Sequence, residues 1–172
     1  MLLTGCATTS VVGPVETPNS VTVTITDGLD TDPVDAGRPV VLVAAALGVP
    51  TEVFREAFSG VTPAGAGSDV SDERAKSNKA ALLAVLAPYG ISNEQLDAAS
   101  DFYRFNGSAG ETWPHEQATA TFVNGEITIT NPGYGYSSPP TITLSNGQTA
   151  TATLAYGTDT ATNGSIASIT LD

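Results

Sequence analysis

The sequence predicts an α+β fold with an N-terminal strand, a compact four-helix unit and a small antiparallel β-sheet of about five short strands packed on the helices. Residues 21–26 alternate apolar and polar side chains, which is the period of a half-buried strand. Residues 36–113 carry apolar side chains at helical spacing between glycine and proline breakers. From about residue 117 the pattern returns to alternation, and Asn-Gly pairs separate the alternating runs. Helices followed by strands indicate the α+β class.

These changes of pattern divide the chain into four parts. Residues 1–19 are expected to hold a lipobox remnant and a flexible spacer, because the stretch after the cysteine is small, polar and proline-containing. Residues 20–35 are expected to form a strand and an acidic loop, 36–113 the helical unit, and 114–172 the antiparallel β region.

The chain's single cysteine, Cys6, directly follows Leu3-Thr4-Gly5, the small-residue pattern that precedes the lipid-modified cysteine of bacterial lipoproteins. Only two residues precede that run, so the basic and apolar regions of a signal peptide are missing. Either the start codon was assigned too late within a longer signal, or the match has no meaning. We expect the first, which makes the protein an extracytoplasmic lipoprotein with an apparently truncated signal peptide. It would touch the membrane only through its lipid anchor.

Charge and composition argue against a nucleic-acid partner and against an internal disulfide. The formal charge is −12, from 18 acidic and 6 basic residues. Binding of nucleic acid depends largely on neutralising phosphates with basic side chains, so no nucleic-acid partner is expected. Hydrophobic residues make up 41% of the chain, which is enough for a sizeable core, and one cysteine cannot form an internal disulfide.

The first two helices are predicted from their boundaries. Residues 40–47 are apolar on every side, so periodicity alone does not separate a buried helix from a buried strand. Three alanines and the following Gly48 favour a helix, with Pro39 in its first turn. Thr51 is the expected N-cap of the second helix, which Gly60 ends.

Cap patterns also predict the third and fourth helices. Ser71 or Asp69 is expected to cap a helix that runs to about residue 87, ahead of a proline. Ser92 and Gln95 form a capping-box pattern, in which each side chain bonds to the backbone of the other, and they open the fourth helix. The pair Asn106-Gly107 is expected to end it.

Three Asn-Gly pairs organise the predicted β region. Asn124-Gly125 is the strongest hairpin signal because a type I′ turn needs positive φ at both central residues. Asn146-Gly147 and Asn163-Gly164 repeat the signal. The small sheet needs a cover for its apolar face, so we expect it to pack on the helices and to recruit the strand at residues 21–26. The remaining strands are predicted at 119–123, 126–130, 141–144, 149–154 and 165–171.

Two blocks of sequence resemble known proteins. The run Gly37-Arg38-Pro39-Val40-Val41-Leu42-Val43-Ala44-Ala45-Ala46-Leu47-Gly48-Val49 resembles uncharacterised exported bacterial proteins, and that resemblance implies no activity. The run Asn131-Pro132-Gly133-Tyr134-Gly135-Tyr136-Ser137-Ser138-Pro139-Pro140-Thr141-Ile142-Thr143-Leu144 is similar to a glycine- and tyrosine-rich β-repeat of phage structural proteins and bacterial surface proteins. Both resemblances imply structural duty.

The acidic loop that follows the first strand is the best candidate metal site. Calcium takes six to eight oxygen ligands, and a turning loop rich in aspartate can converge them. The spacing does not match an EF-hand. In the alternative, Asp30 and Asp32 are solvated turn formers and Asp35 caps the next helix. No other cofactor is expected. The candidate calcium ligands are Asp27, Asp30, Asp32 and Asp35.

Aromatic residues suggest a second kind of site. Trp113, Tyr134 and Tyr136 could form a platform that binds a sugar or a protein partner. In the alternative, the glycines at 133 and 135 turn the backbone and the tyrosines fold over the sheet.

Catalytic motifs are scarce. His115 is the only histidine, and no Gly-x-Ser-x-Gly motif presents a nucleophile for it. One cysteine and one histidine do not provide a usual zinc site. A pair of carboxylates that act together, as in glycosidases, leaves no spacing in sequence and stays open.

The sequence thus predicts a non-catalytic, exported surface or envelope protein, anchored by lipid at Cys6, with a structural or binding role. An unknown surface partner or a polysaccharide is the expected ligand. Two alternatives stay open: a metal-assisted or carboxylate hydrolase that acts on an extracellular polymer, and a phage-like structural component.

Overall fold

The computed structural model describes residues 20–61 and 71–172 and confirms the α+β class. The lipidation residue Cys6 and the alternative cap Asp69 lie outside the described residues. The helices are α1 (Val40–Leu47), α2 (Thr51–Ser59), α3 (Asp72–Leu86) and α4 (Asn93–Phe102). The strands are β1 (Val23–Thr26), β2 (Thr119–Val123), β3 (Glu126–Asn131), β4 (Thr141–Leu144), β5 (Thr149–Ala155) and β6 (Ser165–Leu171). Among these helices none is long and apolar enough to cross a bilayer.

The N-terminal strand joins the C-terminal sheet, as predicted. The larger sheet is antiparallel with the order β1-β4-β5-β6, and β1 pairs with β4 from Val23 opposite Leu144 to Thr26 opposite Thr141. Strands β2 and β3 form a separate two-stranded sheet, whereas the sequence suggested a single one. The chain leaves β3 at Pro132, which has no backbone N–H to continue a ladder.

Apolar side chains of the two sheets meet in one core and not against the helices, as the sequence had predicted, because the helices bury their apolar faces in a cluster of their own. Strand β4 alternates strictly, with Ile142 and Leu144 buried and its threonines exposed. Alternation of this kind puts one face of a sheet against the core and the other in water. Tyr136 and Ile166 belong to the same cluster.

The helices build a second apolar cluster around α1. Leu42 and Leu86 are fully buried, and Trp113 is a buried member of the same cluster. Residues 40–47 form a helix and not a strand. The helix ends at Gly48, which takes φ 68° and whose N–H bonds back to the carbonyls of the last turn. This left-handed end is a common helix stop that glycine adopts without strain.

The predicted starts of α3 and α4 are confirmed, whereas the predicted start of α2 and the predicted end of α4 are wrong. Ser71 caps α3, and Ser92 with Gln95 forms the capping box of α4. Thr51 is the first residue of α2 and not its cap, because the Pro50 carbonyl already accepts the first helical hydrogen bonds. Helix α4 ends at Phe102, ahead of the predicted stop, because Tyr103 leaves the helical conformation and buries its ring in the core.

Asn163 joins the helical cluster to the β region. Its side chain is fully buried, and its amide nitrogen donates to the Leu42 carbonyl and to the Tyr103 hydroxyl, both at 2.8 Å. Its amide oxygen accepts from the Gly157 backbone at 3.2 Å. The dipeptide Asn163-Gly164, predicted as a turn signal, therefore also connects the β region to the helical cluster. A buried amide needs all of these partners, so they tie α1 and the end of α4 to the loop between β5 and β6.

Candidate functional site: a cleft beside the acidic loop

An open cleft of about 450 Å³ lies between the acidic loop and the segment that leads into β2. It brings together two carboxylates of the predicted metal loop, the single histidine and one of the predicted aromatic residues. The residues that line it are Thr26, Asp27, Leu29, Asp30, His115, Gln117 and Tyr136.

The acidic wall of the cleft is held by backbone bonds to residues 137–138. Asp27 and Gly28 both take positive φ, which turns the chain sharply after β1. A Cβ at Gly28 would lie 2.5 Å from the Tyr136 ring, so only glycine fits there. The Gly28 carbonyl accepts from the backbone of Ser137 at 2.9 Å, and the Ser137 hydroxyl donates to the Asp30 carbonyl at 2.7 Å. The loop therefore has a defined shape.

The opposite wall is tied to the same framework. Glu116 and Tyr134 exchange two backbone hydrogen bonds of 3.0 and 3.1 Å. The Trp113 indole N–H donates to the Gly135 carbonyl at 2.8 Å. The Gln117 side chain donates to the Ile25 carbonyl on β1, which links the two walls directly.

His115 has a defined tautomer when it is neutral. Its Nδ1 lies 2.9 Å from the Trp113 carbonyl oxygen. A carbonyl only accepts hydrogen bonds, so Nδ1 carries the proton and Nε2 is left as an acceptor. His115 lines the cleft together with Asp27 and Asp30.

The predicted aromatic residues pack inside the protein. Trp113 is 4% exposed and Tyr136 is 3% exposed, and Tyr134 is half-buried. The Tyr136 hydroxyl accepts from the Ala118 backbone at 2.8 Å. This geometry matches the packing alternative, since two of the three rings lack the exposed faces that a binding platform needs.

The four aspartates of the acidic loop separate into two pairs. Asp27 and Asp30 line the cleft, while Asp32 and Asp35 face Arg55 of α2. The Arg55 guanidinium donates from Nε and Nη2 to the two Asp35 oxygens at 2.6 and 2.9 Å. These bonds, with a further one to Glu52, raise the pKa of Arg55 above its ordinary value. Asp35 thus fastens the loop to α2 and does not cap α1.

The calcium prediction concerns this same loop. Across residues 20–61 and 71–172, no three or more side chains of histidine, cysteine, aspartate or glutamate are grouped so that they could hold a metal ion. Asp32 also accepts from the Val34 backbone at 3.0 Å, as a turn former does. Calcium binding stays a prediction, and two of its four proposed carboxylates already contact Arg55.

Neither a protein-family model, nor a curated protein, nor a solved structure matches this chain.

Sequence reasoning weighed His115 only as a catalytic residue and did not consider Gln117. The two residues lie about 90 positions from the acidic loop, and they reach it because β1 joins a sheet made of later strands. Nothing in their local sequence indicates this.

Proposed function

We propose that the protein is a non-catalytic surface or envelope protein that binds a polyhydroxylated ligand, such as a polysaccharide, in the cleft beside the acidic loop. The observation that carries this proposal is the convergence of polar side chains from two distant segments on one open cleft. Its export and lipid anchor rest on Cys6 alone. Replacement of that residue, Cys6→Ser in the full-length gene, is expected to move the protein from the membrane fraction to the soluble fraction.

The chemistry of the cleft suits sugar hydroxyls. Carboxylate oxygens of Asp27 and Asp30 accept hydrogen bonds from hydroxyl groups, and the Thr26 hydroxyl, which donates to Asp27 at 3.2 Å, can accept one. His115 adds an acceptor at Nε2. A neutral polyol also avoids the repulsion that an anionic polymer would meet at a protein of charge −12.

The shape of the cleft supports binding as well. Hydrogen bonds tie the backbone of both walls to residues 134–138, so the cleft has its shape before a ligand binds. Preorganised walls lose little conformational entropy on binding, so even an open cleft retains useful affinity.

The test is calorimetric titration with a panel of neutral oligosaccharides, including glucan and chitin fragments. We expect at least one of them to bind, and Asp30→Asn to weaken that binding about tenfold because a charged acceptor is lost. Glu126→Gln is the matched control, since it removes one exposed carboxylate at the far end of the β2-β3 hairpin. If the panel does not bind, or if both variants bind equally, the proposal fails.

A hydrolase is the second candidate, favoured by one observation. Asp27, Asp30 and His115 line the same cleft, and carboxylates and imidazoles are the side chains that most often act as general acids and bases. The two functions separate in the same titrations. A hydrolase would release new reducing ends from a bound oligosaccharide and would lose that activity in Asp27→Asn or Asp30→Asn, whereas a binding protein would return its ligand intact.

A further inference from the structure

A second cavity lies in the helical unit, away from the cleft. It measures about 210 Å³ and opens between α1, α2 and α4. Val43, Phe54, Phe58 and Phe105 provide its apolar lining. Arg38 and Arg104 also line it, so two basic residues border an apolar floor.

The Arg38 guanidinium is positioned by an aromatic ring. Its central carbon lies 4.6 Å from the centre of the Phe58 ring, as a cation–π contact requires. None of the ion pairs among the described residues includes Arg38. The nearby carboxylate of Asp35 is engaged by Arg55 through two hydrogen bonds. Arg38 is thus a half-buried cation whose charge no side chain of the described residues balances through an ion pair.

Arg104 is only weakly committed. Its Nη2 donates to Asp101 at 2.9 Å, but the two side chains are 75% and 69% exposed. Exposed pairs of this kind contribute between zero and about 1 kcal/mol, because water and salt screen them. The bond also uses one of the five N–H groups of the guanidinium. Arg104 can therefore turn to a ligand at the mouth of the cavity.

These two arginines are notable in a chain with 6 basic and 18 acidic residues. An arginine beside apolar surface binds a carboxylate through a forked pair of hydrogen bonds, and the apolar floor accepts the rest of the ligand. The overall charge of −12 and the Asp101 carboxylate disfavour a multiply charged anion. The ligand that fits is singly charged and small.

We propose that this arginine cavity binds a small monocarboxylate with an aromatic or branched aliphatic body. The carboxylate lies between Arg38 and Arg104, and the apolar body lies against Phe54, Phe58 and Phe105. This site shares no lining residue with the cleft beside the acidic loop, so it stands independently of the function proposed for that cleft.

The probe for this site is phenylacetate, with phenylacetamide as its neutral isostere. Binding is followed by chemical-shift perturbation of the full chain and by emission of the single tryptophan. Trp113 reports on the cavity because its ring meets the Phe105 ring edge-on, with centroids 5.5 Å apart. We expect phenylacetate to shift resonances of residues that line the cavity, and phenylacetamide to bind at least about tenfold more weakly because it lacks the charge.

Variants locate the effect. Arg38→Gln should weaken phenylacetate binding at least about tenfold. The affinity of Arg38→Lys should lie between those of the parent and Arg38→Gln, because lysine keeps the charge but loses the forked pair of hydrogen bonds. Arg74→Gln on α3 is the matched control and should bind like the parent, since its side chain is exposed and does not line the cavity. Melting curves show that each variant is folded before its affinity is compared.

Three results would overturn the proposal. They are no binding of phenylacetate at millimolar concentration, equal binding of the acid and the amide, or equal loss in Arg38→Gln and Arg74→Gln. A peptide that ends in phenylalanine with a free carboxyl group is a further probe. If it bound more tightly than phenylacetate, the occupant of the cavity would be a peptide C-terminus and not a small molecule.

Discussion

The dipeptides Asn146-Gly147 and Asn163-Gly164 have different structural roles, and the difference lies in the surroundings of their glycines. Gly147 and Gly164 each follow an asparagine, and both take positive φ, 89° and 71°. Around Gly147 a Cβ would meet nothing within 4 Å. At Gly164 it would lie 2.5 Å from the Tyr136 carbonyl oxygen and 2.7 Å from Leu42. Gly164 is therefore needed for close approach as well as for its backbone angle.

This contrast gives a matched pair of substitutions. Gly147→Ala is expected to lower the free energy of unfolding by about 1 kcal/mol, the usual cost of a left-handed alanine. Gly164→Ala adds a clash in the packed core and should lower it by more than about 3 kcal/mol. Urea unfolding of both variants measures the difference. Equal losses would show that the close contact at Gly164 is not part of the folded protein.

Among the elements, α4 has the most completely specified start. The Ser92 hydroxyl accepts from the Gln95 backbone at 3.2 Å, and the Gln95 side chain accepts from the Ser92 backbone at 2.9 Å. Both bonds satisfy N–H groups that have no partner within the helix. Leu96 and Ala99 then carry the buried face of α4 into the helical cluster.

Ser92→Ala should lower the free energy of unfolding by about 1 kcal/mol, because the first turn of α4 loses an acceptor for one of its N–H groups. The control is Ser77→Ala within α3, an exposed position where alanine is the better helix former and should have no cost. Thermal unfolding followed by circular dichroism compares the two. An unchanged midpoint for Ser92→Ala would contradict the role of the capping box.

For the whole molecule, stability depends on how the helical cluster is joined to the β region. This connection is polar, since the Asn163 side-chain amide donates to the Leu42 carbonyl and to the Tyr103 hydroxyl. Burial raises the pKa of Tyr103 above its ordinary value of 10.0, although the bond from Asn163 opposes that rise. The folded protein therefore holds the Tyr103 proton more tightly than the unfolded chain does.

The sign of the pH dependence follows from this difference. Below pH 10 both states keep the proton, and the free energy of unfolding is unaffected by Tyr103. As the pH rises above 10, the unfolded chain releases the proton first, so stability falls by up to about 1.4 kcal/mol per pH unit. Urea unfolding between pH 9 and 12 should show this slope. Tyr103→Phe should reduce it, while Tyr89→Phe, at a ring 52% exposed, should keep it. A slope that Tyr103→Phe leaves unchanged would assign the effect to another group.

Sequence reasoning predicted what depends on near neighbours. The hairpin at Asn124-Gly125 is confirmed, with φ of 53° and 86°, and so is the cap at Ser71. The end of α4 was missed because it depends on the burial of Tyr103, which is a distant contact. Asp27 and Asp30 were recognised as candidate site residues, but nothing in the sequence placed His115 and Gln117 beside them.

The amino-acid sequence by itself determined the α+β class, the positions of the helices and strands and the acidic character of the chain, because periodicity, capping and charge are properties of residues a few positions apart. Only the tertiary structure decided which residues share a site. The bond from Gln117 to Ile25 spans 92 positions, and the bond from Asn163 to Leu42 spans 121. Contacts over such distances depend on how β1 pairs with β4 and how the loop between β5 and β6 meets α1, and no local pattern encodes them.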